Sequence, residues 1–358
     1  MKILIVQDYL RSGGTERQSI LLANAFADAG HGVTLLTFRP GGALAPTVAG
    51  NVARRRLQPF DLGLDWFAPR LTAKVRRLAP DIALCMGRMA NCYAGRIQQS
   101  MTGPVIATMR TGKTLPAPFR RSLATVRHIV ANSREARDTL VQQQGLPAQK
   151  ISVIYNSLVF PAAATLARNE ALRAQQGATP STTVLLCVAM FRPEKNQREL
   201  VEIASGLPAD RDWQLWLAGD GPARAGCAQL AAAKNLAARV KFLGFQRNPT
   251  PLYAAADVAV HASWSEALSN FLIEAQAHGL PAVAYQAQGI QECFIPGRTG
   301  WAIPRDDREA FRATLVRRME DTANTRTAAA ASARAFARES FDPARQVVAY
   351  LDLFDRLR

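Results

Sequence analysis

Short apolar runs alternate with amphipathic stretches along the whole chain. In the first half the runs are KILIV, VTLLTF, DIALCM, PVIATM, RHIVAN and ISVIY. A second series consists of TVLLCVAM, WQLWLAGD, VKFLGF, DVAVHAS and LPAVAY. Runs of this length, separated by segments with helical spacing, indicate buried parallel strands joined by helices. The pattern therefore predicts an α/β protein with two doubly wound sheets.

A segment without a buried strand separates the two series. It covers residues 157–182 and contains two prolines, which is typical of a linker. We therefore predict a first domain over residues 1–160 and a second over residues 161–342. The last stretch, about residues 343–358, is predicted to be an amphipathic helix, because its apolar side chains recur at helical spacing.

The composition is that of a globular protein. The chain of 358 residues is longer than most single cores accommodate, which agrees with two domains. Apolar residues make up 48% and charged residues 20%. No apolar run approaches the roughly 18 residues of a membrane span, and because the sequence starts with a strand we expect no signal peptide. The five cysteines are scattered without CxxC pairs, which indicates a reducing cytosol rather than disulfides or zinc.

Positive charge is concentrated in the first domain. The net charge is +16, and residues 1–160 carry 21 basic and 8 acidic side chains, a net charge of +13. Such an excess favours an anionic partner, which on charge alone is nucleic acid, an anionic membrane surface or a phosphorylated acceptor. We expect no nucleic acid, because the basic residues are spread over several segments without interleaved aromatic residues or a recognisable binding module.

Two glutamates eight positions apart mark the strongest candidate site. Glu266 and Glu274 lie where the predicted strand DVAVHAS runs through a loop into the short helix LSNFLIEAQAHG. Ligands of open parallel sheets bind at this carboxyl edge. The free N–H groups and the positive dipole end of the helix favour an anion there. The backbone donors that we expect to face a phosphate are Leu268, Ser269 and Asn270.

A carboxylate pair also suggests a glycoside hydrolase, but the spacing argues against one. Retaining hydrolases hold their carboxyl groups about 5 to 5.5 Å apart. Eight residues of helix rise roughly 12 Å. Even with Glu266 outside the helix, the pair is better placed to span a ligand than to act on a single bond.

Further candidate residues follow other predicted strands. Lys195, in RPEKNQ, suits a point-charge contact to a diphosphate, and Arg192 suits a forked one. Gly13 and Gly14 follow the first strand and allow backbone to approach a ligand closely. The alternatives are a surface arginine for Arg192 and a plain tight turn for the two glycines.

The order and spacing of these motifs resemble the retaining glycosyltransferases of family 4, which have the GT-B architecture. The motifs are VQDYLRSGGTERQ, IVANSREARDTLV, KISVIYNS, FRPEKNQ, LAGDGP, VKFLGF, LYAAADV, the E-x7-E element and GIQECFIPGRTGWAIPRDD. The resemblance covers most of the chain. It implies two Rossmann-like domains that face each other across a cleft, with the C-terminal helix returning to the first domain.

The resemblance also implies roles for individual residues. Glu274 is expected to accept hydrogen bonds from the donor ribose, and Glu266 to contact the hydroxyls of the donor sugar. Lys195 and Arg192 are expected to stabilise the departing diphosphate. The loop after Gly244 is expected to line the nucleotide pocket, so Gly244 joins Gly13 and Gly14 among the donor-binding candidates.

Two positions depart from the family pattern. Met190 stands where relatives commonly carry an arginine, two positions before Arg192. Arg110 stands where many relatives have a histidine. We expect Arg110, together with Arg17, on the acceptor or phosphate side of the site. A structural role is the alternative for Arg110.

The resemblance implies a retaining glycosyltransferase of the hexosyltransferase type. We expect it to move a sugar from a nucleotide-diphosphate donor, with a UDP sugar favoured, to a glycolipid, lipid-linked saccharide, lipopolysaccharide or polysaccharide acceptor at the cytoplasmic face of the membrane. A nucleotide-sugar epimerase or hydrolase on the same architecture is the alternative. No metal or cofactor is expected, because cations and backbone dipoles can stabilise the leaving group. We expect a cytoplasmic protein that is peripheral to the inner membrane.

One segment suggests how the chain meets a membrane. If residues 70–79 are helical, an apolar edge lies beside a basic stripe, and aromatic residues precede both. Such a helix can lie on an anionic bilayer, although the apolar edge can equally pack on the sheet. The residues are Leu71, Val75 and Leu78 on the edge, Arg70, Lys74 and Arg77 in the stripe, and Trp66 and Phe67 before them.

Overall fold

The apolar runs predicted as strands form two parallel sheets, which confirms the doubly wound α/β fold. The computed structural model describes residues 1–162 and 167–358. Within these residues the chain divides into two units, each with its own sheet. Unit 1 is Met1–Ser157 with Pro343–Arg358, and unit 2 is Leu158–Asp342.

Unit 1 contains a seven-stranded sheet whose strands are all parallel. The strands are β1 (Lys2–Gln7), β2 (Gly32–Thr37), β3 (Ala53–Arg56), β4 (Ile82–Cys85), β5 (Val105–Met109), β6 (His128–Ala131) and β7 (Ile151–Val153). Their spatial order is β3-β2-β1-β4-β5-β6-β7, so the winding direction reverses between β1 and β4. A crevice opens at the carboxyl ends of such a strand pair.

The central strand β1 is buried on both faces. Ile3 and Ile5 belong to one core cluster, and Leu4 and Val6 belong to another. This division follows from the alternation of side chains along a strand. The connecting helices are α1 (Gly14–Asp28), α2 (Leu71–Leu78), α3 (Arg88–Gln98), α4 (Ala117–Thr125) and α5 (Arg134–Gln144).

Unit 2 contains a six-stranded parallel sheet. Its strands are β8 (Thr183–Val188), β9 (Trp213–Ala218), β10 (Val240–Gly244), β11 (Val258–His261), β12 (Ala282–Tyr285) and β13 (Gly300–Ile303). The order β10-β9-β8-β11-β12-β13 reverses between β8 and β11. Its helices are α6 (Glu170–Gln175), α7 (Gln197–Ala204), α8 (Arg224–Ala233), α9 (Thr250–Ala255), α10 (Asn270–Ala277), α11 (Arg308–Met319) and α12 (Ala323–Ser340).

The C-terminal helix α13 (Pro343–Leu357) belongs to unit 1. The rings of Tyr350 and Phe354 are buried against Phe26 of α1, with centroid distances of 6.1 Å and 5.4 Å. The Gln346 side chain donates a hydrogen bond of 2.6 Å to the carbonyl of Tyr155. Aromatic packing and a buried amide therefore hold the end of the chain on the first sheet.

Three local features differ from the sequence predictions. The strands β3 and β13 were not predicted, because neither carries an extended apolar run. The predicted linker over 157–182 contains α6, while its residues 163–166 lie outside the described residues.

Among the described residues, no helix is both long and apolar enough to cross a membrane.

The predicted membrane helix is shorter than expected, and its apolar edge faces inward. Arg70 and Ala79 have positive φ angles of 53° and 45°, so α2 stops short of both. Leu71 and Val75 are buried in the core of unit 1. The interpretation of this apolar edge as a bilayer-facing surface is therefore wrong, because these side chains pack on the sheet.

A buried arginine holds the start of β11 in place. The guanidinium of Arg173 donates to a carboxylate oxygen of Asp257 at 3.0 Å and to the Ala255 carbonyl at 2.8 Å. It also donates to the carbonyls of Thr179 and Thr182. Asp257 in turn accepts from the Val184 N–H at 2.8 Å, which ties β11 to β8.

We expect Arg173→Ala to lower the free energy of unfolding by about 3 to 5 kcal/mol, because it removes the buried cation beside Asp257 and leaves three carbonyls without the donor that Arg173 supplies. Urea unfolding monitored by tryptophan fluorescence measures the loss. Arg168→Ala is the matched control, since Arg168 also pairs with Asp257 but is 38% exposed, and it should cost at most about 1 kcal/mol. An equal loss of unfolding free energy in the two variants would show that the buried contacts of Arg173 do not stabilise the start of β11.

Candidate active site

The candidate site of unit 2 lies where β8 and β11 end, at the reversal of strand order. Lys195 closes the short helical turn Pro193–Lys195 that follows β8. Glu266 lies in the loop between β11 and α10, and Glu274 lies within α10. Because β8 and β11 are adjacent and parallel, their carboxyl ends bring these segments to one edge of the sheet.

Glu266 is the centre of a buried hydrogen-bond cluster. The Nζ atom of Lys195 lies 2.5 Å from Oε1 of Glu266, and Nε2 of His261 lies 2.8 Å from the same oxygen. His261 is 1% exposed and Glu266 is 8% exposed. Since an ionised carboxylate only accepts hydrogen bonds, Nε2 of His261 is the donor in this contact.

The surroundings of Glu266 keep its carboxylate ionised. Burial acts to raise its pKa, but the Lys195 ammonium and the hydrogen bond from His261 outweigh burial and lower the pKa to about 2. At neutral pH this carboxylate can accept hydrogen bonds and balance positive charge. It holds no proton to give to a leaving group.

His261 is a residue that the sequence analysis did not select. It is the last residue of β11, five positions before Glu266, and its Nδ1 is buried with no hydrogen-bond partner. Its ring lies 5.7 Å from that of Phe271. The available signal was a histidine at the end of a strand that leads into the E-x7-E loop, but no local pattern indicates that its ring turns toward Glu266.

Glu274 belongs to a separate set of contacts. It is half-buried in α10 and accepts a hydrogen bond of 2.7 Å from the Tyr253 hydroxyl. The Tyr253 ring stacks on His278 at a centroid distance of 4.5 Å. Thus α9 orients the second glutamate, whereas β11 and the turn after β8 orient the first.

Close backbone packing holds the loop that carries Glu266. Gly289 has a φ of +72°, and a Cβ placed there would lie 2.0 Å from the carbonyl oxygen of Ala267. Only glycine therefore fits the approach of the two loops. The predicted phosphate-facing residues follow directly: Leu268 and Ser269 are buried, and Ser269 caps α10 by accepting from the Leu272 N–H at 3.5 Å.

Two further predicted residues of unit 2 lie on neighbouring loops. Arg192 is exposed at the start of the turn that ends at Lys195, and Met190, at the departure from the family pattern, is 37% exposed. Gly244 ends β10 with a φ of +66°, and its carbonyl accepts from the Gly219 N–H at 2.7 Å. The Phe191 N–H donates to the Asp220 carbonyl at 2.9 Å, so the loops after β8, β9 and β10 are linked at the same edge.

The remaining predicted residues lie in unit 1. Gly13 has extended backbone and precedes α1, which begins at Gly14; the Arg17 N–H donates to the Gly13 carbonyl at 3.1 Å. The Arg110 guanidinium donates to the side chain of Asn156 and, at 3.0 Å, to the Tyr350 hydroxyl. Arg110 thereby ties the end of β5 to α13, which supports the structural alternative for this residue.

Comparison with known families accounts for both units. Residues 182–321 match the family model described as Glycosyl transferases group 1, and residues 12–158 match the one described as Glycosyltransferase Family 4. The chain is similar to the crystal structure of Anabaena Alr3699/HepE in complex with UDP, with a TM-score of 0.84, 23% identity and full coverage of both chains. The chain is a GT-B glycosyltransferase.

Sequence relatives agree with this assignment and with an enzyme of the hexosyltransferase type. The glycosyltransferase is 27% identical over 307 residues to the lipopolysaccharide core biosynthesis glycosyltransferase LpsE of Rhizobium meliloti, which covers 84% of each chain. It is 30% identical over 223 residues to the D-inositol 3-phosphate glycosyltransferase of Rhodococcus opacus, covering 58% of this chain and 48% of that one. The Anabaena protein is also solved in complex with UDP-glucose.

We expect Glu266→Gln to destabilise the glycosyltransferase at neutral pH by on the order of 3 kcal/mol, the equivalent of its lowered pKa. A lowered pKa contributes stability that is complete above the ordinary glutamate pKa of about 4.5 and is lost as the pH falls toward about 2. Urea unfolding over this range should therefore show the two proteins converging at low pH. Glu309→Gln, at an exposed position, is the control, and a difference that does not change with pH would contradict the prediction.

We expect His261→Phe to lower kcat for sugar transfer about 10- to 100-fold, because it removes a hydrogen bond to a charged group. His261→Gln retains an N–H donor and should recover part of the loss. Steady-state kinetics with separate kcat and KM values distinguish positioning from donor binding. Equal activity of the phenylalanine and glutamine variants would show that His261 only fills space.

Proposed function

We propose that this glycosyltransferase moves a sugar from a UDP-sugar donor to an anionic saccharide acceptor of the cell envelope, with retention of anomeric configuration. The observation that carries the proposal is the Lys195–Glu266 pair beside the N-terminus of α10. It places a cation, an ionised carboxylate and helix N–H groups at one edge of the sheet. A sugar nucleotide presents the matching groups: a diphosphate and a ring of hydroxyls.

In this proposal, cations and backbone N–H groups recognise the diphosphate of the donor, and carboxylate acceptors recognise its hydroxyl groups. Lys195 carries three N–H donors, so it can keep its bond to Glu266 and also contact a phosphate oxygen. Arg192 adds a second cation, and the N-terminus of α10 adds backbone donors. Glu274, oriented by Tyr253, accepts from the ribose hydroxyls. The Anabaena relative in fold was solved with UDP and with UDP-glucose, which supports a uridine donor.

In the proposed reaction the bond between the anomeric carbon and the β-phosphate oxygen breaks, and a bond from that carbon to the acceptor hydroxyl oxygen forms on the same face. The acceptor proton passes to an oxygen of the departing diphosphate. Glu266 is ionised, so it acts by accepting hydrogen bonds from the donor sugar and by balancing the positive charge that develops on the ring. Lys195 and Arg192 stabilise the leaving diphosphate, and we propose that transfer needs no metal ion.

The acceptor is proposed to carry phosphate or to be lipid-linked. Unit 1 contributes most of the positive charge, because residues 1–160 have a net charge of +13. LpsE, by its name, acts in lipopolysaccharide core biosynthesis, and the Rhodococcus relative acts on D-inositol 3-phosphate. We place the reaction at the cytoplasmic face of the membrane. The matches to transferases favour transfer over the epimerase or hydrolase alternative.

We expect UDP and UDP sugars to raise the melting temperature more than their GDP and ADP counterparts do. Glu274→Ala should reduce this shift, while Lys195→Gln should lower turnover about 100-fold or more at saturating donor. Thermal unfolding and an acceptor-dependent transfer assay, each with and without EDTA, provide the measurements. Lys234→Ala, at a cation that pairs with Glu202, is the matched control.

Three outcomes would count against the proposal. Transfer at the wild-type rate by both Glu274→Ala and Lys195→Gln would show that the reaction does not take place at the Lys195–Glu266 pair. Donor turnover that does not depend on an acceptor would favour the hydrolase or epimerase alternative. Inhibition by EDTA that added Mg²⁺ reverses would contradict metal independence.

A further inference from the structure

A cluster of apolar side chains is exposed on the loop between β3 and α2. Among the described residues there are nine exposed large hydrophobic side chains, and four of them fall between Phe60 and Trp66. We call this segment the 60–66 loop. Single exposed hydrophobic residues are ordinary on protein surfaces, whereas a concentration of them marks an interaction site. The four and their exposed fractions are Phe60 65%, Leu62 40%, Leu64 37% and Trp66 56%.

Ion pairs hold the 60–66 loop in place. The guanidinium of Arg39 forks onto Asp61 with distances of 2.7 Å and 2.9 Å and reaches Asp65 at 2.8 Å. Arg11 contacts the other oxygen of Asp65 at 2.5 Å. The Arg39 guanidinium also lies 4.0 Å from the centre of the Tyr9 ring. Both carboxylates of the loop are therefore paired with arginines from other segments of unit 1.

Hydrogen bonds to the loop backbone add to this. The buried Gln58 amide donates to the carbonyls of Leu64 and Phe67 at 2.8 Å and 2.7 Å. The Tyr93 hydroxyl donates to the Trp66 carbonyl at 2.7 Å. A loop fixed at so many points cannot fold its apolar side chains inward easily. Their exposure is a property of the fold.

Basic residues flank the apolar cluster along the chain. The strand β3, directly before the loop, exposes Arg54, Arg55 and Arg56, and Arg70 is exposed directly after it. The three β3 arginines and Lys74 line a surface cavity of about 450 Å³. Asp61 and Asp65 are already paired with Arg39 and Arg11, so they do not balance the charge of the exposed arginines that flank the loop.

We propose that the 60–66 loop and the neighbouring basic cavity dock unit 1 on an anionic phospholipid bilayer. Apolar and aromatic side chains enter the interfacial region, and the cations contact anionic headgroups. A second copy of the same surface would bring like charges together, which disfavours a symmetric dimer. The proposed membrane contact is therefore this surface, and not the apolar edge of α2 that the sequence suggested, because that edge is buried.

The docking proposal rests on the proposed function in one respect: an acceptor of the cell envelope would bring the enzyme to a membrane. Vesicle binding is measured without sugar transfer, and donor binding is measured by the UDP-dependent thermal shift. Full UDP binding without vesicle binding would overturn the docking surface alone. Vesicle binding without any nucleotide effect would overturn the proposed function and leave the surface intact.

The experiment is flotation of the full-length protein with vesicles of phosphatidylcholine alone or with about one third phosphatidylglycerol. We expect binding to the mixed vesicles that weakens as salt rises, since exposed charges are screened. The triple variant Phe60→Ser/Leu62→Ser/Trp66→Ser should bind at least tenfold more weakly. The variant Arg54→Gln/Arg55→Gln/Arg56→Gln should lose the preference for anionic vesicles.

Controls separate docking from folding and self-association. Val348→Ser removes an equally exposed side chain (55%) from α13 and should leave flotation unchanged. Phe60→Ser alone alters the most exposed member of the loop and should weaken binding severalfold with an unchanged melting temperature. Undiminished flotation of the triple variant would overturn the proposal. So would a wild-type dimer that the triple variant dissociates in the absence of vesicles, because the loop would then be an interface between copies.

Discussion

The adjacency of β8 and β11 is the constraint on which the candidate active site depends. Asp257 fixes this pairing twice: its backbone N–H donates to the Val184 carbonyl at 2.9 Å, and its side chain accepts from the Val184 N–H. The buried Arg173 holds the same carboxylate. From this register the chain leaves both strands at one edge, and Lys195 meets Glu266 across 71 residues of sequence. A shift of one residue would turn the strand's side chains to the opposite face.

The site keeps a charge where burial opposes it. Removing a carboxylate from water is costly, and Glu266 remains ionised because Lys195 and His261 both reach its Oε1. Replacing a whole buried pair by apolar groups of the same volume often leaves stability unchanged, although removing one partner alone is costly. Its value lies in orientation. Two donors fix the orientation of the Glu266 carboxylate in advance, and groups held in this way lower a barrier when they face the charge that develops in a reaction.

Unit 1 uses its charges differently. Arg39 and Arg11 form ion pairs with Asp61 and Asp65 of the 60–66 loop. These contacts fix the loop in a conformation that leaves its apolar side chains exposed. The ordinary tendency of Phe60 and Trp66 to become buried is thereby opposed by polar bonds to the loop. Arg110 has a different structural role at the end of β5, where its hydrogen bond to the Tyr350 hydroxyl ties α13 to the sheet. The excess of arginine is therefore in part structural.

The sequence by itself determined the fold class, because buried parallel strands need continuous apolar runs and these are visible locally. It also located the E-x7-E segment and Lys195, since their positions after predicted strands follow from the same pattern. It did not reveal β3, an edge strand with three exposed arginines, because an edge strand needs little apolar surface. The burial of Leu71 and Val75, the partners of Arg110 and the contact of His261 with Glu266 were decided only by tertiary structure. Each depends on which strands become neighbours, and strand order arises from contacts between residues far apart in the chain.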